Sequence, residues 1–267
     1  MRKTHLSFLL LFLGVTSLAV RADDWSKQFT VTGKPEVVTE VDDGNIEVRA
    51  GASGRIDVRV ETRGYRISSD EVRVEPNQSG NHLDLVVRVP REHFSFGSHS
   101  VRVTLIVPAE STMNLRTRDG NVSVRGIKGQ QRISTGDGNL DLDGLDGSLI
   151  ADTGDGNISV HGRFDLLDVH TGDGNIDAEA SSGSKMTAGW TAKTGDGNIT
   201  LHLPSNFSAD LDAHTGDGRV QADFPITTTG SLGRNTLRGK MNGGGFLLQL
   251  RTGDGDLRIE KRTFASM

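Results

Sequence analysis

The chain of 267 residues contains no cysteine, few aromatic side chains and no excess of basic charge. The absence of cysteine excludes disulfide bonds, thiolate nucleophiles and structural zinc sites built on cysteine. Aromatic residues make up only 5% of the sequence, so the core has to be built from small and β-branched side chains. The formal net charge of −5 argues against binding to nucleic acid or to an anionic membrane, because both need a positive field.

The first 22 residues are organised like a secretory signal. Arg2 and Lys3 form a basic start, residues 6–20 are apolar, and Ala22 ends a segment with small residues at the positions that precede cleavage. The apolar stretch is short for a membrane-spanning helix, which needs about 20 residues, and no later stretch is apolar enough to cross. We therefore predict a signal peptide over residues 1–22, cleavage after Ala22, and export to the periplasm, the cell surface or the medium.

Glycine is frequent, with 34 residues, and it recurs within a four-residue motif. The sequence Thr-Gly-Asp-Gly begins at Thr135, Thr153, Thr171, Thr194, Thr215 and Thr252. A variant occupies residues 117–120, and a distant copy occupies residues 41–44. From Asp119 onward the aspartates of the motif are 18, 18, 18, 23, 21 and 37 residues apart. Internal repetition at a fixed period is typical of stacked repeat folds, and the last interval suggests a coil that has lost its motif.

Apolar and polar residues alternate on both sides of each motif, which predicts two short strands and two turns in each 18-residue unit. An antiparallel meander with Asp-Gly hairpin turns is one fold that fits this pattern. A parallel β-solenoid fits better, because stacked coils place identical residues on top of one another and so explain why whole units are copied. We predict an all-β chain that forms a parallel β-solenoid, a β-helix or β-roll, with coils of about 18 residues.

The N-terminal region is also β-rich but less regular. Residues 76–81 predict the turn of an antiparallel hairpin between two alternating stretches. Degenerate coils and a small β-sandwich that caps the solenoid both remain open for this region, since solenoids need atypical ends. We predict an N-terminal cap region over residues 23–110 and a solenoid repeat region over residues 111–267, joined as one continuous domain.

Several segments resemble the bacterial DUF4097 family. They are residues 103–108, residues 115–126, the serial Thr-Gly-Asp-Gly-Asn-Ile units, and residues 237–245 and 250–257. The resemblance covers most of residues 40–260. Members of that family are described as adhesins and are often exported. The resemblance therefore implies an exported adhesin, and it brings no established activity and no catalytic residues to this chain.

The aspartates of the motif are candidate calcium ligands, because stacked coils would arrange their carboxylates in a column. The candidates are Asp119, Asp137, Asp155, Asp173, Asp196 and Asp217. Carboxylate oxygens suit Ca²⁺, but the repeat differs from the calcium-binding β-roll motif. Aspartate also favours turns for local reasons, because it hydrogen-bonds its own backbone. Both a structural turn and a calcium site stay open.

A second candidate metal site follows from an outward position that recurs after each motif. This position is occupied by Asp143, His161, Glu179, His202 and Asp223. If the coils stack in register, Glu179 lies beside both histidines, and imidazole with carboxylate at that spacing suits Zn²⁺ or another transition metal. The alternative is a solvated face with complementary cross-strand pairs.

An enzymatic function requires acidic residues that depart from the repeat, because only one coil would hold the substrate. The nearest candidates are Asp141 with Asp143 and Asp165 with Asp168, and these pairs suit a carbohydrate-active lyase or hydrolase on a β-helix. We expect instead a non-catalytic interaction protein, an adhesin or envelope scaffold that presents a rigid polar sheet face to a protein or glycan. No cofactor is expected apart from calcium.

Overall fold

The computed structural model describes residues 22–89, 99–228 and 233–262. These residues form an all-β solenoid of mostly parallel strands, which confirms the predicted fold class. The predicted signal peptide lies outside the described residues except for Ala22. Across the three described ranges, no helix has the length and apolar character that crossing a membrane requires.

The strands before the first variant motif belong to the less regular N-terminal region. They are β1 (Ala22–Thr30), β2 (Glu36–Asp43), β3 (Asn45–Gly51), β4 (Arg55–Arg63), β5 (Arg73–Ser79), β6 (His82–Arg88) and β7 (Ser100–Pro108). Strands β5 and β6 pair antiparallel around Gly80, which has a φ of +58°. This pair is the hairpin that the sequence predicts.

The repeats continue with strands of up to nine residues, except that β11 and β12 have 14 residues each, bend, and extend over two sides of the solenoid. The strands up to the last antiparallel segment are β8 (Thr112–Asp119), β9 (Val122–Arg125), β10 (Lys128–Thr135), β11 (Leu140–Thr153), β12 (Ile158–Thr171), β13 (Ile176–Ala180), β14 (Trp190–Thr194), β15 (Ile199–Pro204), β16 (Ala209–Asp217) and β17 (Val220–Ala222). The final strands are β18 (Ile226–Thr228), β19 (Thr236–Met241), β20 (Leu247–Asp254) and β21 (Leu257–Arg262).

The strands form two long faces that meet at the motif corners. We call the face ordered β5-β6-β2-β8-β10-β11-β12-β14-β20-β16-β19-β18 the first sheet. The face ordered β1-β4-β7-β3-β9-β11-β12-β13-β15-β21-β17 is the second sheet. Each coil contributes one strand, or half of a bent strand, to each sheet.

Two coils are inserted out of chain order. The coil of β20 and β21 lies between the coil of β14 and β15 and the coil of β16 and β17. Likewise, β2 and β3 lie between the β6–β7 coil and the β8–β9 coil. The expectation of a coil that lost its motif after residue 217 is therefore wrong. The intervening residues include β18 and β19, which extend the first sheet with antiparallel pairs.

In the N-terminal region, β2, β3, β6 and β7 stack in parallel like the repeat coils, whereas β1, β4 and β5 add antiparallel pairs at that end. The antiparallel strands give the region the irregular pattern that the sequence predicts. The division into residues 23–110 and 111–267 stays a prediction.

The core consists of rows of identical or similar side chains, one from each coil. Ile158, Ile176 and Ile199 stack in one such row and are almost fully buried. Each buried side chain of this size contributes roughly 1.5–3 kcal/mol of hydrophobic stabilisation. The 23-residue interval before β14 does not shift the strand register. Asp168 pairs with Thr191, which is its equivalent in the next coil.

Candidate functional site

The threonine that opens each motif points inward and ties neighbouring coils together. Its hydroxyl donates to the carbonyl oxygen of the second motif glycine in the adjacent coil, at 2.8 Å for Thr153 and Gly138 and 2.8 Å for Thr171 and Gly156. The same bond is made by Thr117, Thr135, Thr194, Thr252 and Thr215. The threonines are buried, so each bond satisfies a carbonyl that would otherwise carry a desolvation cost.

The motif glycines are required by the close stacking of the backbones. A Cβ atom at Gly156 would overlap the carbonyl oxygen of Gly138, and one at Gly154 would lie 2.5 Å from the oxygen of Gly136. Neither Gly154 nor Gly156 has a positive φ. These glycines are therefore fixed by space between coils and not by a left-handed backbone.

The motif aspartates form the column that the sequence predicts, at the exposed corner between the two sheets. We call this set the corner column: Asp43, Asp119, Asp137, Asp155, Asp173, Asp196, Asp254 and Asp217, in spatial order. Asp254 was not among the candidates, although its motif is intact, and it lies between Asp196 and Asp217. Asp43 belongs to the distant first copy and pairs with Asp119.

The two carboxyl groups at the N-terminal end of the corner column interact directly. Burial raises the pKa of Asp43, and a hydrogen bond to Asp119 and charge repulsion from it add to the increase. Arg118 acts in the opposite direction, but its guanidinium is 3.9 Å from Asp43. Like charges thus face each other here, with Arg118 at the outer limit of ion-pair distance from both carboxylates.

An asparagine ladder follows the corner column. The backbone N–H of Asn157 donates to the side-chain oxygen of Asn139 at 2.9 Å, and Asn175 donates to Asn157 at 2.9 Å. The ladder continues through Asn198 to Asp256, which takes the asparagine position in the inserted coil. The ladder fixes the register of the second sheet next to each corner.

The recurring outward position forms a row across the second sheet, which we call the outward row. It consists of Arg49, Arg125, Asp143, His161, Glu179, His202 and Glu260. The predicted neighbours His161, Glu179 and His202 do lie on successive strands. Glu260, and not Asp223, is the next neighbour of His202, because the last coil is inserted there. Its signal was present, since Glu260 follows Asp256 at the same interval as Glu179 follows Asn175.

The histidines of the outward row lie within ion-pair distance of carboxylates on both sides. The Nδ1 atom of His161 is 2.8 Å from Asp143, and its Nε2 atom is 3.5 Å from Glu179. The ring of His202 is 3.2 Å from Glu260. Over the part of the chain that the structure describes, no group of three or more potential ligands converges as a metal would require. Calcium at the corner column and a transition metal at this row both stay predictions.

The carboxylates of the acidic pairs considered for catalysis each contact an arginine or histidine side chain. Asp141 lies 3.2 Å from Arg125, and Asp143 contacts His161 as described above. Asp165 receives two hydrogen bonds from Arg163, at 2.7 and 2.9 Å, and these bonds lower its pKa against the opposing effect of burial. A catalytic acid needs a raised pKa, so the arrangement at Asp165 suits an ion pair.

Arg163 is a structural feature that sequence reasoning missed. Besides Asp165, its Nε atom contacts Asp146 on the neighbouring coil. The indole N–H of Trp190 donates to the backbone oxygen of Asp165 at 3.2 Å, and the Trp190 ring is buried against Phe164 and Phe207. This cluster holds the turn where five extra residues enter the repeat. No repeated position signals it in the sequence.

The family model of Toastrack DUF4097 matches residues 36–260. Solved structures that match this chain include a putative adhesin from Bacteroides fragilis, with 14% identity and a TM-score of 0.48 over 90% of this chain and 97% of that one. A putative cell adhesion protein from Clostridium sporogenes has 14% identity and a TM-score of 0.43, over 90% and 100% of the two chains. A putative lipid binding protein from Parabacteroides distasonis has 13% identity and a TM-score of 0.38, over 89% and 96%. No curated protein matches the sequence at a significant level.

Proposed function

The chain belongs to the Toastrack DUF4097 family, and from this membership we propose that it is a non-catalytic, exported interaction protein of the cell envelope that acts as an adhesin or a scaffold. The observation that carries the proposal is the outward row, in which polar and charged side chains lie side by side across successive coils. Rows of this kind present many contacts on one rigid face.

The ladders beneath the surface support this role. The threonine and asparagine ladders fix each strand against the next, and contacts such as that between His161 and Asp143 restrain the side chains above them. A partner that docks on such a face orders few groups on binding, so less of the contact energy is lost to entropy. Individually weak contacts can then add up to useful affinity.

The absence of cysteine from the chain offers a direct test. A single cysteine is introduced at Ser159 on the second sheet, at Asn114 on the first sheet, or at Ser182 in the exposed turn before β14, and is coupled to a bulky maleimide polymer. Each labelled protein is sedimented with envelope fractions of the producing bacterium. We expect the unlabelled protein to cosediment, and a label on at least one sheet face to abolish cosedimentation.

The label at Ser182 is the matched control, since it adds the same bulk away from both faces and should leave cosedimentation unchanged. Failure of the unlabelled protein to cosediment contradicts the proposal, as does cosedimentation that no face label disturbs. Turnover of envelope glycans, abolished by replacing Asp141 or Asp165, contradicts it in favour of a carbohydrate-active enzyme.

A further inference from the structure

The outward face of the first sheet carries two arginines that no carboxylate neutralises. Arg116 on β8 and Arg132 on β10 are both exposed. The Arg116 guanidinium contacts only the hydroxyl of Ser134, at 3.4 Å, and Arg132 has no side-chain partner within the three described ranges. The register pairs Arg116 with Ser134 and Asn114 with Arg132, so the arginines are diagonal neighbours. Strand spacing and rise place their α carbons roughly 8 Å apart.

The carboxylates beside these arginines contact other side chains. Glu40 lies on the adjacent strand β2, but its carboxylate is 2.8 Å from Arg88, which also lies 3.0 Å from Asp42. On the opposite side, Asp152 lies 3.5 Å from His170. The two arginines therefore keep their charge available to a ligand.

Two shallow depressions lie along β8 and β10, and Arg116 lines one of them and Arg132 the other. One has a volume of about 450 Å³ and the other about 390 Å³. The first is lined by Arg116, Arg118 and Ser134 together with Glu40 and Asp42, and the second by Asn114, Gln130 and Arg132 together with Glu36. Arg118 adds a third guanidinium, whose nearest carboxylates are 3.8 and 3.9 Å away. The carboxylates of Glu40 and Asp42 are paired with Arg88, and Glu36 lies 3.2 Å from His82, so the arginines and the neutral hydrogen-bonding groups remain available along one line.

We infer that this face binds an acidic polysaccharide whose sugars carry carboxylate groups. The inference rests on the proposed function and adds a partner for the first sheet, whereas the outward row lies on the second sheet. A guanidinium binds a carboxylate through two parallel hydrogen bonds, and amide and hydroxyl groups such as those of Gln130 and Ser134 bond sugar hydroxyls. Because the chain as a whole carries a net charge of −5, attraction of an acidic ligand depends on local unneutralised cations such as Arg116 and Arg132.

The test is calorimetric titration of the full chain with a hexameric galacturonate oligosaccharide. The double variant Arg116→Gln with Arg132→Gln removes both unneutralised charges. The matched control, Arg219→Gln with Arg234→Gln, removes two other exposed arginines whose side chains have no partner in the described structure. We expect the first double variant to bind at least tenfold more weakly than the unaltered chain and the control to bind within twofold of it. Circular dichroism and thermal melting verify that both variants fold.

The methyl ester of the same oligosaccharide keeps the sugars and removes their charge, and we expect it to bind at least tenfold more weakly. Equal binding of the ester, or unchanged binding by the double variant, overturns the inference. The inference is also overturned if inorganic phosphate at equal concentration competes with the oligosaccharide. It is overturned as well if the chain self-associates and the double variant abolishes that self-association. If the chain does not bind the galacturonate oligosaccharide but still cosediments with envelope fractions, this inference alone is wrong and the proposed function is unaffected.

Discussion

The hydroxyl of Thr171 donates a hydrogen bond to the carbonyl oxygen of Gly156 at 2.8 Å, and this bond joins one coil to the next. Thr171 is buried, so the carbonyl has no access to water as an alternative partner. The repetition of this bond explains why the motif keeps threonine where valine would fill the same space.

Replacing Thr171 with valine should destabilise the protein by about 1–3 kcal/mol, because it leaves the Gly156 carbonyl buried without a donor. Urea unfolding followed by circular dichroism measures the difference. Thr191 provides the control, since it lies on the outward face of β14 and its hydroxyl makes no hydrogen bond within the described ranges. Equal stability of the two valine variants would show that the ladder adds nothing to the solenoid.

Replacing Gly156 with alanine should cost about 4 kcal/mol or more, since the new methyl group overlaps the carbonyl of Gly138 and the coils have to separate. Gly233 is the control, because a Cβ atom there meets nothing closer than 3.4 Å. Thermal melting should show a large loss for the first variant and little change for the second. A mild effect at Gly156 would mean that the coils slide apart more easily than the stacked backbone suggests.

The sequence predicts the coil and its register because stacking repeats the same side chain at the same height. The position of His161, Glu179 and His202 after each motif is alone sufficient to predict that they lie on adjacent strands, as the structure shows. The place of β20 could not be predicted in this way. A coil with the common motif fits against any other coil, and only the tertiary structure shows that β20 pairs with both β14 and β16. The Arg163 cluster was missed because it occurs once.

Replacing Arg163 with lysine should destabilise the protein by about 1 kcal/mol at neutral pH, because lysine cannot make the two-pronged bond to Asp165. Hydrogen bonding by Arg163 lowers the pKa of Asp165 in the folded state. Its stabilisation is therefore present above the unfolded pKa of about 4 and is lost as the pH falls through the folded pKa. Arg125→Lys is the matched control, since its pair with Asp141 is exposed and should contribute little. A stability difference at Arg163 that persists unchanged at pH 2 would contradict the ion-pair explanation.

Replacing Asp43 with asparagine should have the opposite effect and stabilise the protein at neutral pH. The pKa of Asp43 is raised in the folded state by burial and by Asp119. Its ionisation therefore weakens the fold as the pH rises from the unfolded pKa of about 4 through the folded pKa. The gain at pH 7 should be less than about 1 kcal/mol, because the side chain is half exposed and salt screens the repulsion. It should vanish near pH 3, where Asp43 is protonated in both states. Urea unfolding at both pH values distinguishes this from a pH-independent effect.

Removing the inserted coil should affect strands that precede it in the chain. Truncation after Phe246 deletes β20 and β21, which pair with β14 and β15 on one side and with β16 and β17 on the other. The apolar side chains Leu248, Leu250, Leu257 and Ile259, all nearly fully buried, leave the core with them. We expect amide hydrogen exchange to become fast throughout residues 209–222 while β10 and β11 stay protected, because protection follows local stability. A chain that ends at Arg262 keeps both strands and should retain full protection. If residues 209–222 stayed protected after the longer truncation, the antiparallel pair of β16 with β19, or a new pairing with β14 and β15, would be sufficient to hold them, and the inserted coil would be dispensable.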